Sequence, residues 1–211
     1  MSGYSDYTDP NLKNIKRYKV PIIEPTTENF KEYGIIYDDN RYDHEIIIVP
    51  WVTTGKRPLM KGTGVGGGTV IGDFSYHYKN NYLEAYNYAV KGDYITGVHY
   101  DDDINDDDLP RYILTREANY HPDGGQLFAP IDNIPFILLL ALPTDDIKPE
   151  HFIGFKFDGT KSVQIKPNIW HQPVFPFESE ALFCTKQGAV HACVGVDTID
   201  EFNTWLEISL E

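Results

Sequence analysis

The chain has 211 residues and a net charge of −14, with 18 Lys and Arg against 32 Asp and Glu. That balance argues against binding a phosphate backbone or an anionic membrane surface, both of which call for clustered cations, although a pocket can still take a small anion because local charge dominates at contact distance. Fifteen Tyr, eleven Phe and three Trp suffice for one packed domain, and two cysteines, Cys184 and Cys193, are too sparse for a disulfide scaffold and wrongly spaced for zinc.

The opening segment, residues 1–18, is polar and is expected to be flexible; it lacks the apolar core of a signal peptide. The rest, residues 19–211, reads as one domain. "PTTENFKEYG" predicts a short helix capped by Thr26 or Thr27, with Phe30 and Tyr33 on one face and Gly34 as its stop. "HEIIIVPW" then reads as a strand. Residues 37–110 form an extended, Gly-rich insertion. Within it, Gly62, Gly64 and Gly67 match G-x-G-x-x-G, but a dinucleotide loop must open a helix and the strand-like "TVIGDFSYHY" follows instead. The segment is read as a flexible loop, a candidate pocket lid. "NYLEAYNYAVKGDYITGVHY" predicts two strands around Lys91-Gly92-Asp93. The acidic run from Asp101 to Asp108 lacks the central Gly and terminal Glu of a calcium loop and reads as a solvated loop.

Beyond residue 110 short strands continue: "RYILTREANYHP", "QLFAPI", "FILLLALP", "FIGFKFDG", "KSVQIKP" and "IWHQPVFPF". In the fourth, Ile153, Phe155 and Phe157 alternate with Gly154 and Lys156, as a half-buried strand requires. "TIDEFNTWLE" opens with a Thr198–Glu201 capping box and spaces Ile199, Phe202 and Leu206 at helical intervals, so a closing helix is expected. The longest apolar run, "IPFILLLALP", falls short of the ~20 residues of a membrane span. A cytoplasmic, all-β sandwich or barrel with short terminal helices follows.

Two of the seven histidines have unusual surroundings. His121 precedes a proline and a Gly-Gly turn, and His171 lies between Pro167 and Pro173, neither of which can donate to a sheet. Asn119, His121 and Gln126 have the spacing N-x-H-x4-Q. Alternate strand residues share a face, so 119 and 121 point together, and the turn returns 126 beside them. Small barrels of the cupin type carry H-x-H-x4-E on one hairpin and a further His on a later one, the place His171 would take. Such convergence makes either an acid–base site or a metal site. The four positions Asn119, His121, Gln126 and His171 offer two imidazoles and two weakly ligating amides, so no cofactor is required, and a divalent metal stays an open alternative.

"TTENFKEYG", "NYHPDGGQLFAPI", "KPEHFIGFKFDGTKSVQIKPNIWHQPVFPF" and "SEALFCTKQ" occur in the order seen in ureidoglycolate lyases, and the chain resembles that family. The likeness is best over residues 111–186, with H-P-x-G-x-Q-x-F-x-P from His121 to Pro130 and W-H-x-P at 170–173 as its most specific parts. It implies a cupin-like β-barrel that cleaves (S)-ureidoglycolate to glyoxylate and urea. On that basis His121 and His171 are the acid–base pair, Asn119, Tyr120 and Gln126 orient the substrate, and Trp170 walls the pocket. The family pattern commonly reads Glu-Arg-His-Pro where this chain has Asn119-Tyr120-His121-Pro122. The lost guanidinium leaves Lys166 or Arg116 to meet the substrate's carboxylate. The competing readings are a metal-dependent isomerase or dioxygenase and a non-catalytic small-ligand binder. A homodimer through paired edge strands is expected by analogy.

Overall fold

The computed structural model describes residue 7 and residues 9–49, 55–64, 66–101, 108–189 and 192–211. Residues expected to be flexible form a 3-10 turn (Pro10–Asn14) and strand β1 (Lys16–Lys19). The far end of the chain holds them: Trp205 donates from Nε1 to the Leu12 carbonyl at 2.9 Å, and the Tyr7 ring lies 5.8 Å from the indole.

After β2 (Ile22–Ile23) comes α1 (Thr27–Phe30), the predicted helix reduced to about one turn. Thr26 caps it reciprocally, accepting from the Asn29 N–H at 3.1 Å while its own N–H donates to the Asn29 side chain at 2.7 Å. Strand β3 (Gly34–Ile36) follows. The strand expected at 44–51 is absent over its described part, where only Ile48 bridges to Gly124. Ile47 and Ile48 are exposed, so no second layer covers this segment as the two sheets cover β10.

The Gly-rich segment leads into a strand, β4 (Thr69–Lys79), in keeping with the reading against a dinucleotide loop. β4, β5 (Tyr82–Asn87) and β6 (Gly92–Val98) form an antiparallel meander, with Lys91 at φ 55° in the turn between the last two. Residues 102–107 of the acidic run lie outside the described residues. The stretch "RYILTREANYHP" splits into β7 (Tyr112–Thr115) and β8 (Glu117–Tyr120), which belong to different sheets. Arg116 pins the corner, its carbonyl accepting from the Thr198 N–H at 2.7 Å and its guanidinium donating to Asp197 and Asp200.

The remaining strands are β9 (Gln126–Pro130), β10 (Phe136–Ala141), β11 (Ile153–Phe157), β12 (Val163–Ile165), β13 (Trp170–His171), β14 (Phe175–Pro176), β15 (Glu180–Gly188) and β16 (Val194–Asp197). They are followed by α2 (Thr198–Phe202) and β17 (Thr204–Ser209). The closing helix is thus shorter than predicted. Its cap is Asp197, which accepts from the N–H groups of Ile199 and Asp200, and Asn203 in the left-handed region ends it. Leu206 belongs to β17.

The architecture is all-β, as the cupin-like reading predicts. Ten strands form one sheet in the order β1-β17-β7-β6-β5-β4-β15-β9-β12-β3, and seven form the other, β16-β8-β13-β10-β11-β2 with β14 on β10. Among the described residues this pairing leaves two open sheets, without the ring of a closed barrel. The sheets meet through aromatic side chains. Phe136 of β10 stacks on Phe157 and meets the edge of Phe183 from β15, each with centroids 5.1 Å apart. Every side chain of β10 is fully buried, which accounts for its unbroken apolar run.

Candidate functional site

A cavity of about 840 Å³ takes lining from both sheets. The second sheet contributes Asn119 and His171, and the first contributes Gln126 and Phe128. His121 stands where the chain leaves β8, and the β4–β6 meander adds Phe74, Asn87 and Tyr94.

The turn after His121 explains how these groups converge. A Cβ on Gly125 would lie 2.4 Å from the Ile165 carbonyl oxygen, so only glycine lets the chain press against β12 and start β9 at Gln126. Asp123 fixes the same turn, accepting from the Ala192 N–H at 3.1 Å through its buried carboxylate. His171 is held between β8 and β10, opposite Asn119 and Leu140, on a strand only two residues long. Prolines on either side keep that strand short.

The rings of His121 and His171 lie with centroids 4.9 Å apart, and both residues are buried. Nδ1 of His121 is 3.1 Å from the Ala192 carbonyl, and Nδ1 of His171 is 2.8 Å from that of Ile169. A carbonyl can only accept, so in each neutral ring Nδ1 carries the hydrogen and Nε2 is the basic atom. Burial pulls the His121 pKa down to about 3, and the His171 charge acts in the same direction. Hydrogen bonds to the Ala192 carbonyl and to Gln126 oppose that shift. Gln126 also donates to Thr185 Oγ1 at 3.1 Å, which fixes the amide that holds the ring. Asn119 lines the cavity as well, but its Oδ1 is shut off from it and has no hydrogen-bond partner among the described residues.

Other expected site residues sit elsewhere. Strand alternation turns Tyr120 and Trp170 away from the histidines beside them, and they pack edge to face at 4.7 Å. Trp170 is fully buried and donates to the Thr144 carbonyl at 3.0 Å, so it braces the sheet behind His171 and does not wall the cavity. Lys166 donates from Nζ to the Lys31 carbonyl, and Arg116 is engaged by Asp197 and Asp200. Neither lines the cavity. Among the described residues the cations that do are Arg57, whose guanidinium forks onto both Glu201 oxygens at 2.8 Å, and Lys91. Acidic groups, including Glu117, Asp93 and Asp200, line it too.

One lining residue carried no sequence signal. Cys193 places Sγ 3.3 Å from Nδ1 of His121, 72 positions away in the chain. Burial, with Asp123 nearby, pushes the thiol pKa up to about 12. The metal alternative fits the donor set poorly. Two of the four positions are weakly ligating amides, and no group of three His, Cys, Asp or Glu among the described residues is disposed to hold an ion.

Residues 113–202 match the model of the ureidoglycolate lyase family. Similar curated proteins include three named ureidoglycolate lyase. The one from Azotobacter vinelandii is 32% identical over 87 residues, 40% of this chain and 52% of the relative. That of Stutzerimonas stutzeri is 30% identical over 83 residues, 38% of this chain and 49% of the relative. The Salmonella enteritidis PT4 protein is 30% identical over 73 residues, 35% and 46% respectively. The chain thus spans about half the length of the curated relatives it matches.

Proposed function

We propose, from the premise that this chain belongs to the ureidoglycolate lyase family through residues 113–202, that it cleaves (S)-ureidoglycolate to glyoxylate and urea. The observation that carries this reading is the imidazole pair, with rings 4.9 Å apart in one cavity and inside the matched segment. The reaction is the collapse of a carbinolamide. One ring takes the hydroxyl proton through Nε2, the carbonyl of glyoxylate forms, the C–N bond breaks, and the departing urea nitrogen receives a proton. Neutral imidazoles suit the first step, and the ring just protonated supplies the last.

Burial and the neighbouring ring disfavour a charge on His121, so the pair is suited to carrying one proton and not two. Gln126 is a positioning residue that steadies His121 through its bond to Thr185. Asn119, which lines the cavity, is the amide that orients the ureido group. Arg57 is the cation offered to the carboxylate, in exchange for Glu201. The same reading has the protein acting in the cytoplasm as a homodimer without a metal.

The test is incubation with ureidoglycolate and colorimetric detection of glyoxylate. Glyoxylate formation no faster than the substrate's spontaneous decay overturns the reading. In an active enzyme, His171→Ala lowers kcat by roughly 10² to 10⁴ while the circular dichroism stays native, the usual worth of general acid–base assistance. Near-normal turnover in that folded variant removes His171 from the mechanism.

A further inference from the structure

The cavity that holds the imidazole pair is larger than ureidoglycolate needs. At about 840 Å³ it falls in the upper part of the range of roughly 300–1,000 Å³ that encloses drug-sized ligands. A row of contacts runs from the histidines to the meander. Gln126, which bonds His121, shares a face of β9 with Phe128. The Phe128 ring lies 6.5 Å from that of Phe74, and Phe74 lies 6.1 Å from Tyr94. Phe128 and Phe74 are buried, whereas Tyr94 is partly exposed. Open apolar lining also comes from Leu59, Met60 and Val90. Met60 is 42% exposed, and its N–H donates to the carbonyl of Cys193, whose Sγ lies 3.3 Å from the His121 ring. Tyr94, Leu59, Met60 and Val90 all lie outside the matched segment 113–202.

The proposed reaction fixes one part of the substrate and leaves another free. The carboxylate, the hydroxyl and the C–N bond all belong to the collapse that yields glyoxylate. The group beyond the carbonyl on nitrogen takes no part in it, and in ureidoglycolate that group is only an amino group. We infer that the cavity also takes N-acyl-α-hydroxyglycines with an aromatic acyl group and cleaves them to glyoxylate and the primary amide, the aromatic ring lying against Tyr94, Leu59, Met60 and Val90. A tyrosine ring and a methionine thioether are both favourable neighbours for an aryl group. The inference rests on the lyase reading for its chemistry and goes beyond it in the substrate. The hydroxyl gives up its proton and its oxygen becomes the aldehyde carbonyl of glyoxylate. The C–N bond breaks, its electron pair stays on nitrogen, and the nitrogen gains a proton. No water is consumed and nothing is oxidised or reduced.

The experiment offers the full chain N-benzoyl-α-hydroxyglycine, N-acetyl-α-hydroxyglycine and ureidoglycolate, with glyoxylate read colorimetrically and the amide by chromatography, each above spontaneous decay. The benzoyl compound is expected to show a kcat/KM at least about tenfold above the acetyl one, because only its ring reaches the apolar wall. A benzoyl compound that is inert, or no better than the acetyl one, overturns the inference. Tyr94→Ala and Met60→Ala should each cut that preference several-fold and leave ureidoglycolate turnover at the wild-type level. A preference unchanged in every variant that folds overturns the inference as well. Met60 is exposed, so its variant reports even where Tyr94→Ala fails to fold. Cleavage of ureidoglycolate with the benzoyl compound inert sinks the added activity alone. Cleavage of the benzoyl compound with ureidoglycolate inert sinks the ureidoglycolate reading alone, and cleavage of neither sinks both.

Discussion

The segment from 113 to 202 and the meander from 69 to 98 build their walls of the cavity in opposite ways. The meander uses long, continuous strands whose burial alternates residue by residue, as in β5, and its pairings follow chain order. The matched segment places its histidines on or beside very short strands, with β13 just two residues long and β8 four. Prolines and glycines interrupt it where the chemistry is. Regular pairing gives a stable wall, whereas an interrupted strand frees a side chain to be aimed. Carbonyls of neighbouring residues, Ala192 and Ile169, then take over the aiming.

If the two regions are one cooperative unit, the joint between them should be the most sensitive point. Phe183 of β15, the strand that pairs with β4, touches Phe136 within the matched segment and, across the joint, meets Tyr76 of β4 edge to face with centroids 5.5 Å apart. Phe183→Ala is expected to cost about 3–5 kcal/mol, the range for emptying a fully buried aromatic site. Urea denaturation should show one transition moved to lower denaturant. A meander that keeps its wild-type midpoint while the rest unfolds would divide the molecule into two units.

The buried imidazole makes the matched segment sensitive to acid in a way the meander is not. His121 has a folded pKa near 3 against an ordinary 6.5. Between those values the unfolded chain binds a proton that the folded one refuses, so this contribution is complete above about pH 6.5 and is lost as pH falls toward about 3. The limiting slope is about 1.4 kcal/mol per pH unit from this one group. Urea midpoints measured from about pH 7 to about pH 4 should therefore fall more steeply for the wild type than for His121→Gln. Equal slopes would mean that His121 is not buried as a neutral base. Asp39, Asp101 and Asp158, whose pKa values are lowered by hydrogen bonds, also lose stability in acid, but they are present in both proteins and cancel in the comparison.

The same contrast decides what could be read in the sequence. Alternation in "NYLEAYN" and "FIGFKF" reports strands directly, because each has a face to bury. The spacing of Asn119, His121 and Gln126 was legible because one hairpin holds all three, and the prolines around His171 marked its strand as special. Tyr120 and Trp170 were misassigned although the rule that excludes them is local: neighbours on a strand face opposite ways. Cys193 and Arg57 were not legible at all. Their partners His121 and Glu201 lie 72 and 144 positions away, and no periodicity carries contacts of that separation.

The smallest effect tests where the matched segment ends. Helical spacing in "TIDEFNTWLE" suggested a helix through Leu206, but the chain turns at Asn203, one residue past the match, and enters the first sheet as β17. Asn203 adopts φ 51° and ψ 45°, and its N–H donates to the Ile199 carbonyl at 2.8 Å. Asparagine tolerates this left-handed geometry better than most residues, whereas alanine pays for its Cβ there. Asn203→Ala should therefore destabilise by about 1 kcal/mol, and Asn203→Gly, which relieves the same strain, should match or slightly exceed the wild type. The order Gly, Asn, Ala in thermal midpoint is the signature of a conformational stop. If alanine is the most stable of the three, the helix runs on through residue 203, and Trp205 could not then sit in β17 against the start of the chain.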